Sequence, residues 1–161
     1  MSLILRNIMF TIVVPGAGAV LLPWLILGRG SAATPVPGTW PAVAVIAAGA
    51  GLYVWCLSLF GRVGRGTPGP WDAPRALVTV GPYRWMRNPI YVSALLVVLG
   101  EAWLFGSVSL LLYAVAMAIG FHLFVVGYEE PTLRRNFGAS YAAYRQSVPR
   151  WILRRPRTPQ R

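Results

Sequence analysis

The chain has 161 residues, 56% of them hydrophobic and only 12% charged, with a mean hydropathy of +0.56. That charge content is about half of what a soluble domain carries, so an ordinary water-soluble fold is excluded and lipid is the expected solvent. The net charge of +11 comes from fifteen arginines, with no lysine, against four acids. These arginines flank apolar runs and leave no soluble basic module, which excludes nucleic acid and points to anionic lipid headgroups. The single cysteine, Cys56, cannot form an internal disulfide. One histidine and four acids exclude a zinc or iron centre.

Residues 3–27 are apolar except for Arg6, Asn7 and Thr11. At ~1.5 Å per residue the run exceeds the ~20 residues needed to cross a bilayer. Pro15 and Pro23 are expected to kink or shorten it. It is too long for a cleaved signal peptide, and further spans follow. Gly28 to Trp40 is rich in Gly, Ser, Thr and Pro and reads as a loop. Residues 41–60 form the second expected span, with Ala47, Ala48, Gly49, Ala50 and Gly51 as a small-residue face for close helix packing.

A polar stretch covers residues 61–88. Its prolines from Pro68 to Pro74 recur too densely for helix. A loop of this length in so small a protein is usually functional. Ala76 to Val80 is a short apolar piece expected to touch the bundle or the membrane. Then comes Gly81-Pro82-Tyr83-Arg84-Trp85-Met86-Arg87-Asn88-Pro89-Ile90-Tyr91. Pro89 suits a first helical turn, and Asn88 before it is placed to cap the helix. Arg, Tyr and Trp also collect at membrane interfaces, so an anchoring role is the alternative for this stretch.

Residues 89–105 and 107–128 are the third and fourth expected spans, hinged at Gly106, with Glu101 and Trp103 near the tip of the hairpin. Beyond Tyr128 the residues read as a helix broken near Gly138. Leu133, Phe137, Tyr141 and Tyr144 share an approximate face, as in an interfacial amphipathic helix. The basic, proline-punctuated tail from Val148 to Arg161 is expected to be loosely ordered on headgroups. Arginines concentrate in the second loop and after Tyr128. By the positive-inside rule both segments, and both termini, face the cytoplasm. The expected architecture is therefore one all-α integral membrane domain, residues 1–161, with about four transmembrane helices under a cover made of residues 61–88 and 129–161.

Glu129 and Glu130 follow the last span, where a helix C-terminus disfavours an acid unless a cation pairs with it. Arg84, Arg87, Arg134 or a cationic ligand can supply that charge. His122 stands at i and i+7 from Glu129, so both can share a helix face. It reads either as a functional intramembrane residue or as an interhelical hydrogen-bonder. No phosphate-binding loop, Ser/His/Asp arrangement or paired-histidine motif occurs. Gly64-Arg65-Gly66 lacks the context of a dinucleotide fold.

Leu77-Val78, then Gly81-x-Tyr83-x-x-x-Arg87-Asn88-Pro89-x-Tyr91, then Glu129-Glu130-x-x-Leu133-x-x-x-Phe137-Gly138-x-x-Tyr141-x-x-Tyr144-x-x-x-Val148-Pro149 resemble the isoprenylcysteine carboxyl methyltransferase family. That family includes phospholipid methyltransferases and many bacterial relatives. The resemblance covers the C-terminal half. It implies an integral membrane enzyme, in a bacterial inner membrane, that uses S-adenosylmethionine in a cytoplasm-facing pocket on a lipophilic small-molecule acceptor. Carried over by motif, the cofactor-binding residues are Arg75, Ala76, Leu77, Val78, Tyr83, Asn88, Pro89, Ile90, Tyr91 and Glu129. Arg87 joins them as a partner for the cofactor carboxylate or as a loop anchor. His122 and Glu130 are the candidate catalytic residues, with Glu130 alternatively an ion-pair clamp. Where carboxyl methyltransferases of the family carry a substrate-holding arginine, this chain has Val125. That departure points to a thiol, amine or hydroxyl acceptor rather than a carboxylate. Two other readings stand beside this one: a nicotinamide-dependent membrane reductase of comparable fold, and a non-enzymatic membrane scaffold.

Overall fold

The computed structural model describes residues 2–28, 34–64, 66–69 and 75–153. Arg29, Arg65, Trp71 to Pro74 and the tail beyond Leu153, on which parts of the loop and charge readings rest, lie outside the described residues. Among the described residues there is no strand, and the α-helices are α1 (Leu3–Val13), α2 (Leu22–Gly28), α3 (Pro41–Leu59), α4 (Pro89–Leu104), α5 (Val108–Phe124) and α6 (Glu130–Ser147). Three helical runs, Leu5–Gly28, Pro41–Gly64 and Val108–Ser147, are long and apolar enough to cross a membrane, and the apolar Pro89–Leu104 is shorter. Large apolar side chains such as Ile12, Trp24, Val54, Leu112 and Leu123 stand exposed along these runs. Such a surface suits lipid and no aqueous fold. This is an all-α integral membrane protein.

Two prolines each follow a widened turn in the long helices. A π turn, Ala17–Leu21, ends just before Pro23, and a second, Val125–Glu129, ends just before Glu130 and Pro131. Proline cannot donate its N–H, and a widened turn accommodates the loss. At the first of them the Gly18 carbonyl is filled from another helix, by the Tyr113 hydroxyl at 2.7 Å. Two polar side chains of α1 bond back to their own helix. The Asn7 amide donates to the Leu3 carbonyl, and the Thr11 hydroxyl donates to the Asn7 carbonyl.

The most extensive packing joins α3 to α4. A Cβ on Gly49 would stand 2.8 Å from the Ser93 carbonyl, and one on Gly100 would stand 2.6 Å from Ile46 Cγ1. Only Gly49 of the expected small-residue face is buried. Ala47, Ala48, Ala50 and Gly51 are exposed, and the contact stripe is instead Ala42, Gly49 and Cys56, one residue in seven. At the far end Gly106, with φ +57°, turns the chain from α4 into α5.

The second surprise is continuity. The last apolar helix does not stop at Tyr128; it passes through the π turn into α6 and kinks at Gly138, with φ 48° and ψ −121°. Glu129 and Glu130 therefore sit mid-helix, and the expected repulsion by a helix C-terminus does not arise. Asn88 also departs from expectation. Its side chain makes no cap but donates to the Arg150 carbonyl at 3.2 Å. Residues 148–153, the described part of the expected loose tail, form a strap. The Pro149 carbonyl accepts from the Arg87 amide at 2.9 Å, and Val148 is buried.

Candidate active site

The 81–91 stretch folds back onto the bundle because of its first residue. Gly81 has φ +59°, and a Cβ there would meet Leu59 Cδ1 at 2.8 Å. A short 3₁₀ turn, Gly81–Arg84, then drives Tyr83 inward, where only 5% of it is exposed, against Cys56 and Val78. Its ring meets Phe60 edge-on at 5.8 Å. Burial pushes the Tyr83 phenol well above its ordinary pKa, so it stays neutral.

The two sequence motifs meet here. The Tyr144 hydroxyl donates to the Tyr83 carbonyl at 2.6 Å, and Arg87 Nη1 donates to the Tyr141 hydroxyl at 3.1 Å. Glu130 is the hub. Arg87 Nη1 lies 3.1 Å from its Oε1, and Arg150 grips it in a fork, Nε to Oε1 at 2.6 Å and Nη2 to Oε2 at 3.1 Å. Burial opposes the charge on Glu130, but the Arg150 hydrogen bonds and the charges of Arg87 and Arg150 outweigh it and hold the carboxyl below its usual range. Glu129 behaves oppositely. It accepts from the Tyr91 hydroxyl at 2.7 Å, and no arginine pairs with it among the described residues. Burial raises its pKa against the opposing Tyr91 bond, and the neighbouring Glu130 charge adds to the rise.

Between the motifs lies a cleft with about 90 Å³ of space for the centres of water-sized molecules, and about 870 Å³ between atoms when counted out to its open mouth. Of the expected residues, Leu77, Val78, Tyr83, Arg87, Asn88, Glu129 and Glu130 line it. Arg75 and Ala76 are exposed and do not. Pro89 is buried at the start of α4, outside the lining. Ile90 and Tyr91 line a second chamber, held between α1 with its π turn, α3, α4 and α5, with about 200 Å³ for water-sized centres. Pro68 touches both cavities, and the Tyr91–Glu129 hydrogen bond joins one to the other.

His122 lines neither cavity. The π turn inserts a residue between it and Glu129, which destroys the expected i, i+7 register. His122 is exposed and its Nδ1 accepts from Trp151 Nε1 at 3.2 Å, while Trp151 also meets the Tyr91 ring edge-on. The sequence reading missed Phe60, Thr132 and Asn136 as lining residues. Leu133, Phe137, Tyr141 and Tyr144, expected as one face of a helix covering the pocket, all line the cleft.

A family model for phospholipid methyltransferases matches residues 38–140. The chain belongs to that family. The matched stretch runs from the start of α3 into α6, so it contains the 81–91 motif, both glutamates and most of the cleft. No curated protein and no solved structure matches the chain significantly. Membership of this family makes the protein a membrane methyltransferase, and its helices are long and apolar enough to cross a membrane.

Proposed function

We propose that the protein transfers a methyl group from S-adenosylmethionine to a small lipophilic acceptor, with the cofactor in the cleft and the acceptor reaching it from the intramembrane chamber. The observation that carries this reading is the contrast between the two glutamates. Glu130 is satisfied twice over by arginines, whereas Glu129 lines the same cleft with no cation beside it among the described residues. A part-buried carboxylate without a cation is costly, and a cationic ligand removes that cost. The cofactor carries an ammonium and a sulfonium, so it fits the vacant charge.

Arg87 keeps a buried Nε without a hydrogen-bond partner among the described residues, a donor suited to the cofactor's carboxylate. Phe60, Tyr83 and Phe137 offer aromatic walls for adenine. Leu77, Val78 and Asn88 complete the lining on the 61–88 side. When bound, the cofactor supplies an electrophilic methyl group on a positively charged sulfur. The protein's own contribution is alignment and exclusion of water, and alignment alone is worth up to ~7–11 kcal/mol in well-oriented systems.

The roles we assign choose among the sequence alternatives at three positions. Glu130 is a positioning residue that holds Arg87 and the strap in place. His122 fastens the strap through Trp151. Tyr91 forms part of the wall between cofactor and acceptor. The topology we propose has four crossings, with α4 as the shortest and the arginine-rich loop, α6 and both termini in the cytoplasm. The excess of arginine on that side supports it.

The reading is tested with membranes containing the protein and S-adenosylmethionine tritiated on its methyl group. Tritium should move into an organic-extractable product with wild-type protein and not with Glu129→Gln. Equal transfer by both proteins would contradict the role given to Glu129, and no transfer by either, with total membrane lipid present, would count against the lipophilic acceptor.

A further inference from the structure

The intramembrane chamber has a hydrogen-bonding character that specifies its occupant. Among the described residues no arginine or other cation lines it; apart from three tyrosines the lining is apolar or backbone. Every tyrosine proton there is already committed. Tyr113 donates to the Gly18 carbonyl. Tyr91 donates to Glu129. Tyr53 and Thr11 share a bond of 2.8 Å whose donor follows from elimination: the single Thr11 hydroxyl proton goes to the Asn7 carbonyl at 2.8 Å, so Tyr53 is the donor to Thr11. The phenol oxygens therefore retain lone pairs but no free proton. Among the described residues, the side chains that line this chamber offer a ligand acceptors and no donors.

We infer that the chamber binds an uncharged lipophile whose polar end is a single hydrogen-bond donor (a thiol, an alcohol or an uncharged amine) and that it excludes carboxylate- and phosphate-bearing lipids. A carboxylate or phosphate is an acceptor-only group and would be buried here without a donor or a counter-charge, beside the acidic Glu129. A neutral X–H group can donate to the oxygen of Tyr91, whose own proton points to Glu129. That places the polar end at the junction with the cleft, where Pro68 borders both spaces. Calling this molecule the methyl acceptor rests on the proposed function; the binding claim does not.

The test uses three photoreactive probes with the same hexadecyl chain and a diazirine beside the head group, ending in an alcohol, a carboxylate or a phosphoethanolamine. Each is irradiated with the full-length protein in nanodiscs, and labelled residues are mapped by mass spectrometry. The alcohol probe should label Ala94, Met117 and Phe121, and Ala94→Phe and, separately, Met117→Phe should each cut that labelling. The two charged probes should label these positions at least about tenfold less, in line with the cost of charge inside a bilayer. Equal labelling by the carboxylate or phosphoethanolamine probe overturns the charge assignment. Absence of labelling by all three, in protein that still binds S-adenosylhomocysteine, overturns the chamber as a ligand site while leaving the methyltransferase reading intact. Selective alcohol labelling in protein that does not bind S-adenosylhomocysteine upholds the chamber and counts against the cofactor assignment instead.

Discussion

Replacing Glu130 by alanine removes the one carboxylate that ties three pieces of chain together: the start of α4 through Arg87, the helix that bears it, and the strap through Arg150. The Arg87 side chain is only 9% exposed, so the substitution strands a guanidinium with little access to water, whereas Arg150, at 30%, can re-solvate in part. Breaking a buried pair from one side costs about 3–5 kcal/mol. Because one of the two arginines keeps access to solvent, we expect the lower end, about 3 kcal/mol. Arg150→Ala leaves the Arg87–Glu130 pair in place and should cost about 1–1.5 kcal/mol, the loss of charge-assisted hydrogen bonds at a half-exposed site. At about 2–4 °C per kcal/mol for a chain of this size, the shifts in apparent melting temperature are about 6–12 °C and about 2–6 °C. Intrinsic-fluorescence melting in detergent, at one scan rate because unfolding of such proteins is often irreversible, reads both. A Glu130→Ala protein that melts with wild type, or an Arg150→Ala protein that melts lower than Glu130→Ala, would refute the clamp. The pH dependence has a definite sign. A carboxyl whose folded pKa lies below its unfolded value adds stability that is fully present above that value, ordinarily 4.5, and is lost as pH falls through the folded one. Wild type should therefore lose melting temperature on the acid side of 4.5 more steeply than Glu130→Ala.

The α3–α4 contact gives a second prediction. Gly49→Ala places a Cβ 2.8 Å from a backbone carbonyl and should cost about 1–3 kcal/mol, seen as a lower melting temperature. Tyr113→Phe removes the hydrogen bond that fills the Gly18 carbonyl beside Pro23. It should cost about 0.5–1.5 kcal/mol in the same assay. His122→Ala loosens the strap, so the backbone amides of residues 150–153 should exchange faster by mass spectrometry. Affinity for S-adenosylhomocysteine should stay within about twofold, since His122 lines neither cavity. A loss of affinity without faster exchange would return His122 to the site.

The parts of the site that could be read in the chain are those carried by local rules. Apolar run length marked the helices, Gly138 marked the kink, and the spacing of Leu133, Phe137, Tyr141 and Tyr144 marked a face that became the cleft wall. The joining of residues 81–91 to Glu130 was legible as a need for a cation, with Arg87 one of three arginines offered, although the helix C-terminus invoked for it does not exist. What escaped was the π turn. One added residue per turn leaves no trace in hydropathy, yet it moved Glu129 off the face of His122 and carried the helix past Tyr128. Pro23 and Pro131, each two residues beyond such a turn, are the trace that was available. The strap escaped because its ties, Arg150 to Glu130 and Trp151 to His122, join residues twenty or more apart that no periodicity relates.

Titration calorimetry with S-adenosylhomocysteine is the closest test of the claim that one cleft, bounded by an unpaired Glu129, holds the methyl donor. Wild-type protein in detergent should show saturable binding at one site, and Glu129→Gln, melting like wild type, should bind at least about tenfold more weakly. Absence of heat at millimolar ligand in well-folded wild-type protein, or undiminished affinity in Glu129→Gln, would contradict it.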